Sequence, residues 1–467
     1  MSEYADVATL PPAPNNPLPY LQQLRAIRKF DIGLPLLSAA GGPVTRLVLA
    51  PRALMPAMVL VSSPQGARDV LARNDSVVER GDTSVSKELS SLLGDNLLTT
   101  AQDVWLPRRR AVQPIFTRKH VPRFAGHVAD LATEAAQRWI AEGQVDLDAE
   151  CRSLTLRALG RSILGTDLRG DEAVVAAALR DSVQWAVDRA MRPVNVPRWL
   201  PTRGRRRAVA ASAALHRIAR DVLRDCRADA DLDAPLVRAL MEAVDPDTGE
   251  RLPDKAICDE LVLFMLAGHE TISTALTYTL FALGHRRELQ ERVAVEVSEL
   301  GSQPLGAADV MRLGYTVQVL RESMRMCSPS LVLGRMVLQD IAVDGFRVQA
   351  GDFAAISVNA IHHDPEVWPD PMTFDPDRFS PQNFAAHSRW HYLPFGGGKR
   401  ACLGDHFAIQ EAALVLASIV SRVEITTLTN EFPIDMPLTA VPAAPVPARV
   451  RPRVSNISVA GGHGSLG

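Results

Sequence analysis

From Leu261 to Gly284 the chain carries an apolar run long enough to span a bilayer, yet Glu270 stands near its middle beside His269, Thr271 and Ser273. A charge at that depth is costly in lipid, and so apolar a run cannot face water on all sides. The run is therefore read as part of a long helix, Asp254 to Gly284, buried at the centre of a large body. Gly268, Glu270 and Thr271 lower its helix propensity without helping its packing. Local rule-breaking of this kind is expected at a functional site.

Enclosing such a helix takes a sizeable core, and 467 residues at 47% hydrophobic and 22% charged supply one. A formal net charge of -2 gives no global electrostatic case for nucleic acid. The basic run Arg203, Arg205, Arg206 and Arg207 lacks interleaved aromatics and reads as the solvated start of a helix. The five cysteines, Cys151, Cys226, Cys258, Cys327 and Cys402, are odd in number and scattered, with no C-x-x-C. That spacing speaks against a disulfide framework, a zinc site or an iron-sulfur cluster, and fits a reducing, cytoplasmic compartment. Residues 1–20 are polar and proline-rich, without the basic region and apolar core of a signal peptide, and are expected to be an extension with no membrane anchor.

Around the long helix the periodicity predicts a mainly α body with a small β-rich side. Val44 to Leu49 and Met58 to Val61 read as a hairpin, Pro64 to Arg73 as a short helix, and Glu79 to Asp103 as a long polar connection. Val121 to Asp231 is helical apart from a break at Pro193 to Pro201. Arg287 to Leu300 and two helices within Ala307 to Cys327 follow. From Val332 to Val358 the period becomes that of strands broken by Asp-Gly and Ala-Gly turns. Glu411 to Val423 is helical, Ile425 to Val450 holds short strands, and residues 454–467 form a Gly/Ser-rich tail expected to be flexible. No composition shift marks a second domain, so residues 21–453 are read as one.

Four local patterns carry chemistry. From Phe395 to Gly404 a glycine-rich turn presents Cys402 at the mouth of a helix, where cations and the helix N-terminus favour a thiolate and the glycines admit a large flat group. The same residues alone would also suit a buried structural cysteine. Lys399 is followed by Arg400 instead of Ser or Thr, which argues against a phosphate loop. Glu322 and Arg325 share a helix face, able to pair locally or with a third charge. Phe374 to Phe379 is a proline turn carrying Arg378 between aromatics, and Ala267 to Thr271 interrupts the long apolar helix.

In this order, the four patterns resemble the cytochrome P-450 superfamily of haem-thiolate monooxygenases: F-x-x-G-x-R-x-C-x-G at Phe395, Gly398, Arg400, Cys402 and Gly404; E-x-x-R at Glu322 and Arg325; the aromatic-proline-arginine turn at Arg378; and A-G-x-E-T at Ala267 to Thr271. The resemblance implies a triangular helical prism enclosing haem b, with Cys402 as the axial thiolate, Phe395 beside the sulfur and Gly404 allowing close backbone approach. It implies a structural charge network of Glu322, Arg325 and Arg378. Trp105, Arg109, Arg335 and Arg400 would hold the haem propionates. Ala267 and Gly268 would line the opposite side, Gly268 leaving room for a ligand, and Glu270 with Thr271 would be the acid-alcohol pair that delivers protons to dioxygen.

Substrate contacts are expected from Glu79 to Asp95, from Trp185 to Trp199, and from Leu263, Leu331, Val332, Leu333 and the turn near Ala444. Arg108 and Arg110 are expected to face solvent, where with Lys399 they would meet an acidic electron donor or simply be solvated. The implied reaction inserts one oxygen atom from O2 into a hydrophobic small molecule, with NAD(P)H electrons arriving through a separate ferredoxin or flavodoxin and its reductase, on a monomer. Ile272, Gln349 and Arg286 depart from residues common in the family. A peroxide-dependent or rearranging haem-thiolate enzyme and a non-catalytic haem sensor are the alternatives.

Overall fold

In the computed structural model, which describes residues 7–73, 76–81, 83–192, 194–244, 249–301 and 304–453, the apolar run lies inside one helix, Asp254–Gly284. Between Ala256 and Leu283 every residue of it is buried except Ala267, Gly268, Thr271 and Tyr278. The rest of the chain is wrapped to achieve that.

In chain order, α1 (Tyr20–Ile27) and α2 (Phe30–Gly41) precede β1 (Val44–Leu47) and β2 (Met58–Val61), and α3 (Pro64–Leu71) leads to β3 (Val78–Glu79). Then come α4 (Ser84–Leu93), α5 (Gln102–Val112), α6 (Ala125–Glu142), β4 (Gln144–Asp146), α7 (Leu147–Leu159), α8 (Glu172–Ala190), α9 (Arg203–Ala228) and α10 (Pro235–Glu242). The long helix is α11. After it run α12 (Arg287–Ser298), α13 (Ala307–Val310), α14 (Gly314–Met326), β5 (Val332–Val337), β6 (Ile341–Val343), β7 (Phe346–Val348), β8 (Phe353–Ser357), α15 (Val358–His362) and α16 (Pro381–Phe384). The chain closes with α17 (Asp405–Val420), β9 (Val423–Thr427), β10 (Ile434–Asp435), β11 (Val441–Pro442) and β12 (Pro447–Pro452).

One sheet has the order β1-β2-β8-β5-β3, with β2 and β8 parallel and Leu60 opposite Ala355. A second has the order β4-β12-β9, and β6-β7 and β10-β11 are hairpins. The largest apolar cluster fills the space among α6, α7, α9, α11 and α17, while a second lies under the first sheet. Mainly helical, with small sheets at the side, this is the architecture the sequence predicts.

Three details depart from the sequence reading. The polar stretch from Glu79 to Asp103 holds a helix, α4: Thr83 caps it by accepting from the Ser86 N–H at 3.0 Å, and Leu89, Leu92 and Leu93 bury one face. The helix after the cysteine loop starts at Asp405, ahead of Glu411. Part of the proline-rich extension is stitched to the β-rich side, where the Ala13 N–H donates to the Arg347 carbonyl at 3.1 Å and the Asn16 N–H to that of Arg46 at 2.9 Å. The tail at 454–467 lies outside the described residues. The basic run from Arg203 does open α9, capped by Thr202. Among the described residues no helix is long and apolar enough to cross a membrane.

Candidate functional site

The cysteine loop is built by its backbone. The Cys402 N–H donates to the Phe395 carbonyl at 2.9 Å, and the Ala401 N–H to that of Gly398 at 3.2 Å. Gly398 has φ +72°, and a Cβ there would come within 1.8 Å of the Leu71 carbonyl oxygen, so only glycine fits. Four cysteines are buried, whereas Cys402 is exposed. It lies just before Gly404, which caps α17 and whose N–H points at the sulfur. Desolvation by the surrounding protein raises the thiol's pKa, helped by Asp405, while the Gly404 N–H, Arg109 and Arg80 pull the other way.

Cations gather around Trp105, which is buried on α5. The Arg400 guanidinium lies 4.0 Å from its ring centre and that of Arg109 5.3 Å. Arg109 Nη1 donates to the Ala401 carbonyl at 3.0 Å, tying α5 to the cysteine loop. Arg400 pairs with Glu79 at 3.1 Å and donates to the Thr100 carbonyl at 3.2 Å. Arg335 is buried and donates to the Gly334 carbonyl. Arg80, which the sequence reading missed, has its pKa pulled down to about 10 by burial and by Arg400, while Cys402 raises it.

Glu322, Arg325 and Arg378 come together in space. Arg325 grips Glu322 with Nε at 2.7 Å and Nη2 at 2.8 Å, both side chains wholly shielded, and Arg378 Nε lies 3.6 Å from Glu322. The Asp375 N–H also donates to Glu322 at 2.9 Å. Beyond it, Arg325 donates to the His362 carbonyl at 2.8 Å, and His362 Nε2 accepts from the Leu393 N–H at 2.8 Å. Leu393 in turn accepts from the Gly396 N–H, so the network reaches the cysteine loop through hydrogen bonds.

On α11, Ala267, Gly268 and Thr271 form the accessible stripe at helical spacing. Thr271 Oγ1 donates to the Ala267 carbonyl at 2.7 Å. Glu270 turns elsewhere: it is buried and accepts from Thr439 Oγ1, while Thr274 donates to the Ala440 carbonyl at 2.9 Å. Burial raises the Glu270 pKa, against the pull of Thr439, Arg152 and Arg180. Phe116 stacks on Phe264 at 5.5 Å and meets Phe407 edge-on at 6.2 Å, joining α11 to α17. No spacing in the sequence announces Phe116 or Thr439.

Several expected roles change. A Cβ on Gly268 would lie 2.6 Å from Leu159 Cδ1, so this glycine lets α7 approach α11 instead of making room for a ligand. Leu331 and Leu263 are buried core residues, and Leu331 packs with α1, α2 and the sheet. Val332 and Leu333 are half-buried, Leu333 lying against Gly396. Ala444 is exposed at the base of the β10-β11 hairpin, whose opposite end, at Thr439 and Ala440, is what touches α11. Arg108 is held by Glu260 at 3.0 Å and is no solvent-facing cation, unlike Arg110 and Lys399.

A flat group with an acidic edge and a thiolate-bound iron suits this donor set: an accessible cysteine on a glycine cradle, and cations around an indole beside it. Among the described residues no group of three or more His, Cys, Asp or Glu could hold a metal by itself, so a metal at Cys402 would need ligands from a prosthetic group. The chain belongs to the cytochrome P-450 family, whose model matches residues 11–450. It is similar to cyclooctat-9-en-7-ol 5-monooxygenase of Streptomyces melanosporofaciens, 32% identical over 368 residues, covering 78% of this chain and 79% of that one. Cyclooctatin synthase of the same organism is 32% identical over 386 residues, covering 82% of this chain and 83% of its own. Pentalenene oxygenase of Streptomyces avermitilis is 29% identical over 364 residues, covering 78% and 80%. With these relatives, the chain is a cytochrome P-450 monooxygenase.

Proposed function

We propose that this monooxygenase holds haem b through Cys402 and inserts one oxygen atom from dioxygen into an apolar cyclic small molecule. It works as a cytoplasmic monomer, with NAD(P)H electrons delivered by a separate ferredoxin or flavodoxin and its reductase. The observation that carries the reading is Cys402, accessible on a loop that tolerates only glycine at Gly398 and is tied to a cation-flanked tryptophan. The substrate class is supported by two relatives named for cyclooctat-9-en-7-ol and pentalenene, and by Leu333, which lies against Gly396 of the loop.

When bound, the haem supplies the iron at which dioxygen is activated, with thiolate donation favouring oxygen-oxygen cleavage. The chain does the rest. Trp105, Arg80, Arg109, Arg335 and Arg400 hold the acidic edge, Arg400 sharing its charge with Glu79. Val332, Leu333 and Ala267 exclude water from the substrate side. Thr271 has committed its proton to the Ala267 carbonyl, so its oxygen serves as an acceptor for a proton-bearing group. Glu270, whose burial makes it hold a proton more readily, is the acid of the pair, its carboxyl held by the Thr439 hydroxyl. Arg110, Arg118, Lys119 and Lys399 are exposed and offer an acidic electron donor a basic surface.

The test is spectroscopic and then catalytic. The reduced, CO-bound protein should display the red-shifted thiolate Soret band, and Cys402→Ala should abolish it. With a surrogate ferredoxin system, NADPH should be consumed and an oxygenated product formed. Persistent lack of both across a broad set of apolar cyclic compounds would sink the proposed reaction.

A further inference from the structure

Near the start of α11, Asp259 and Glu260 are 1% and 0% exposed, and neither belongs to the site above. Their partners converge from elsewhere in the chain. Asp259 Oδ2 accepts from the Asp95 N–H at 3.1 Å and from Lys255 Nζ at 2.6 Å, while Oδ1 lies 3.2 Å from His216 Nε2 on α9. Glu260 Oε2 accepts from the Leu97 N–H at 3.2 Å, and Oε1 from Arg108 of α5 at 3.0 Å. Arg108 also donates to the Asp95 carbonyl. Ser212, one turn before His216, donates to the Leu92 carbonyl at 2.5 Å.

Two features make this a seat built for the segment that follows α4. Gly94 ends α4 at φ +79°, and a Cβ there would come within 2.0 Å of the Asp259 carboxyl carbon, so the carboxylate occupies the space that glycine vacates. His216 Nδ1 faces the Ser212 carbonyl at 2.8 Å while Nε2 faces Asp259. His216 from α9, Arg108 from α5 and Lys255 from α11 thus surround two adjacent carboxylates that also bind the loop backbone.

We propose that Asp259 and Glu260 form a latch that holds residues 92–98 down on α11 and couples them to α9, and that its release is the step by which the apolar substrate arrives and leaves. The inference rests on reading the end of α4 as a substrate contact. Asp259 and Glu260 are positioning residues that touch no substrate themselves. Lys255, Arg108 and His216 face the two carboxylates, with Asp95 beside them.

Amide hydrogen exchange of the holoenzyme reads the latch without reference to any substrate. In Asp259→Asn and Glu260→Gln the Asp95 and Leu97 amides should exchange about tenfold faster, as expected for loss of a charge-assisted hydrogen bond, with α17 amides unchanged. Asp254→Asn, which breaks an exposed pair with Arg227 in the first turn of the same helix, should alter neither. Adding Arg108→Gln to Glu260→Gln restores a neutral hydrogen-bonding pair and should recover most of the protection. Wild-type exchange at both amides in both single variants overturns the latch. The role in substrate passage is read with 4-phenylimidazole, whose nitrogen reports its arrival at iron. Its dissociation should accelerate in step with exchange, and faster exchange with unchanged dissociation overturns that role. A wild-type protein giving no haem spectrum would refute the cofactor reading and leave exchange to decide the latch.

Discussion

Glu322 and Arg325 have no access to solvent and bind each other through two hydrogen bonds, so removing one leaves a buried charge uncompensated. Arg325→Met is expected to cost roughly 3–5 kcal/mol, and Glu322→Gln added to it should recover part of that because no lone charge remains. Guanidinium unfolding of both variants checks it; equal stability of single and double variant would contradict the pairing. This pair was legible because its members stand three positions apart on one helix, and Cys402 because glycines and an arginine stand at fixed offsets from it. Arg80, Phe116, Thr439 and His216 carry no such spacing. Each is a common residue brought to its place by packing between segments far apart in the chain. Arg108 and Arg110 illustrate the same limit: helical rotation of about 100° per residue turns one to Glu260 and the other to water, and neither neighbour identifies which.

At the scale of elements, α11 was legible at both ends, because its apolar run and its polar interruption leave one physical solution. The helix α4 was not, since Ser84, Ser86, Ser90 and Ser91 give it the composition of a loop, and the buried stripe of Leu89, Leu92 and Leu93 is short. How closely two helices approach is also invisible in one sequence. Gly268 is the case in point. Replacing it with alanine gains about 1 kcal/mol of helix propensity. The new methyl meets Leu159 Cδ1, in a core where overpacking typically costs about 1–3 kcal/mol. Gly268→Ala is therefore expected to destabilise, Leu159→Ala to cost about 2–5 kcal/mol alone, and the double variant to lose clearly less than the sum. A double-mutant cycle by urea unfolding checks this, and additivity would show that α7 and α11 do not meet there.

For the molecule as a whole, buried titratable groups of opposite kind set a dome of stability against pH. His269 and His362 are pushed down to about 3 by burial, and His362 needs its free lone pair to accept from Leu393. Between about pH 3 and 6.5 the unfolded chain binds a proton at each that the fold refuses, so stability rises with pH by about 1.4 kcal/mol per unit per histidine. The carboxylates act the other way. Glu260 is pushed up to about 7, and Glu411, whose two oxygens have no hydrogen-bond partner among the described residues, is raised well above the usual range by burial. Their stabilising contribution is complete below about pH 4.3 and is lost as pH rises through the folded values. From about pH 4.3 to 6.5 the two trends oppose each other, giving a broad maximum with an acid limb owed to the histidines and an alkaline decline owed to the carboxyls. His362→Gln, whose amide oxygen can still accept from Leu393, should flatten the acid limb by about 1.4 kcal/mol per pH unit and leave the alkaline side unchanged. Glu411→Met should do the reverse. Guanidinium midpoints measured from about pH 4 to 9 separate the limbs, and a His362→Gln protein that keeps the wild-type acid slope would mean that His362 accepts its second proton without leaving the fold.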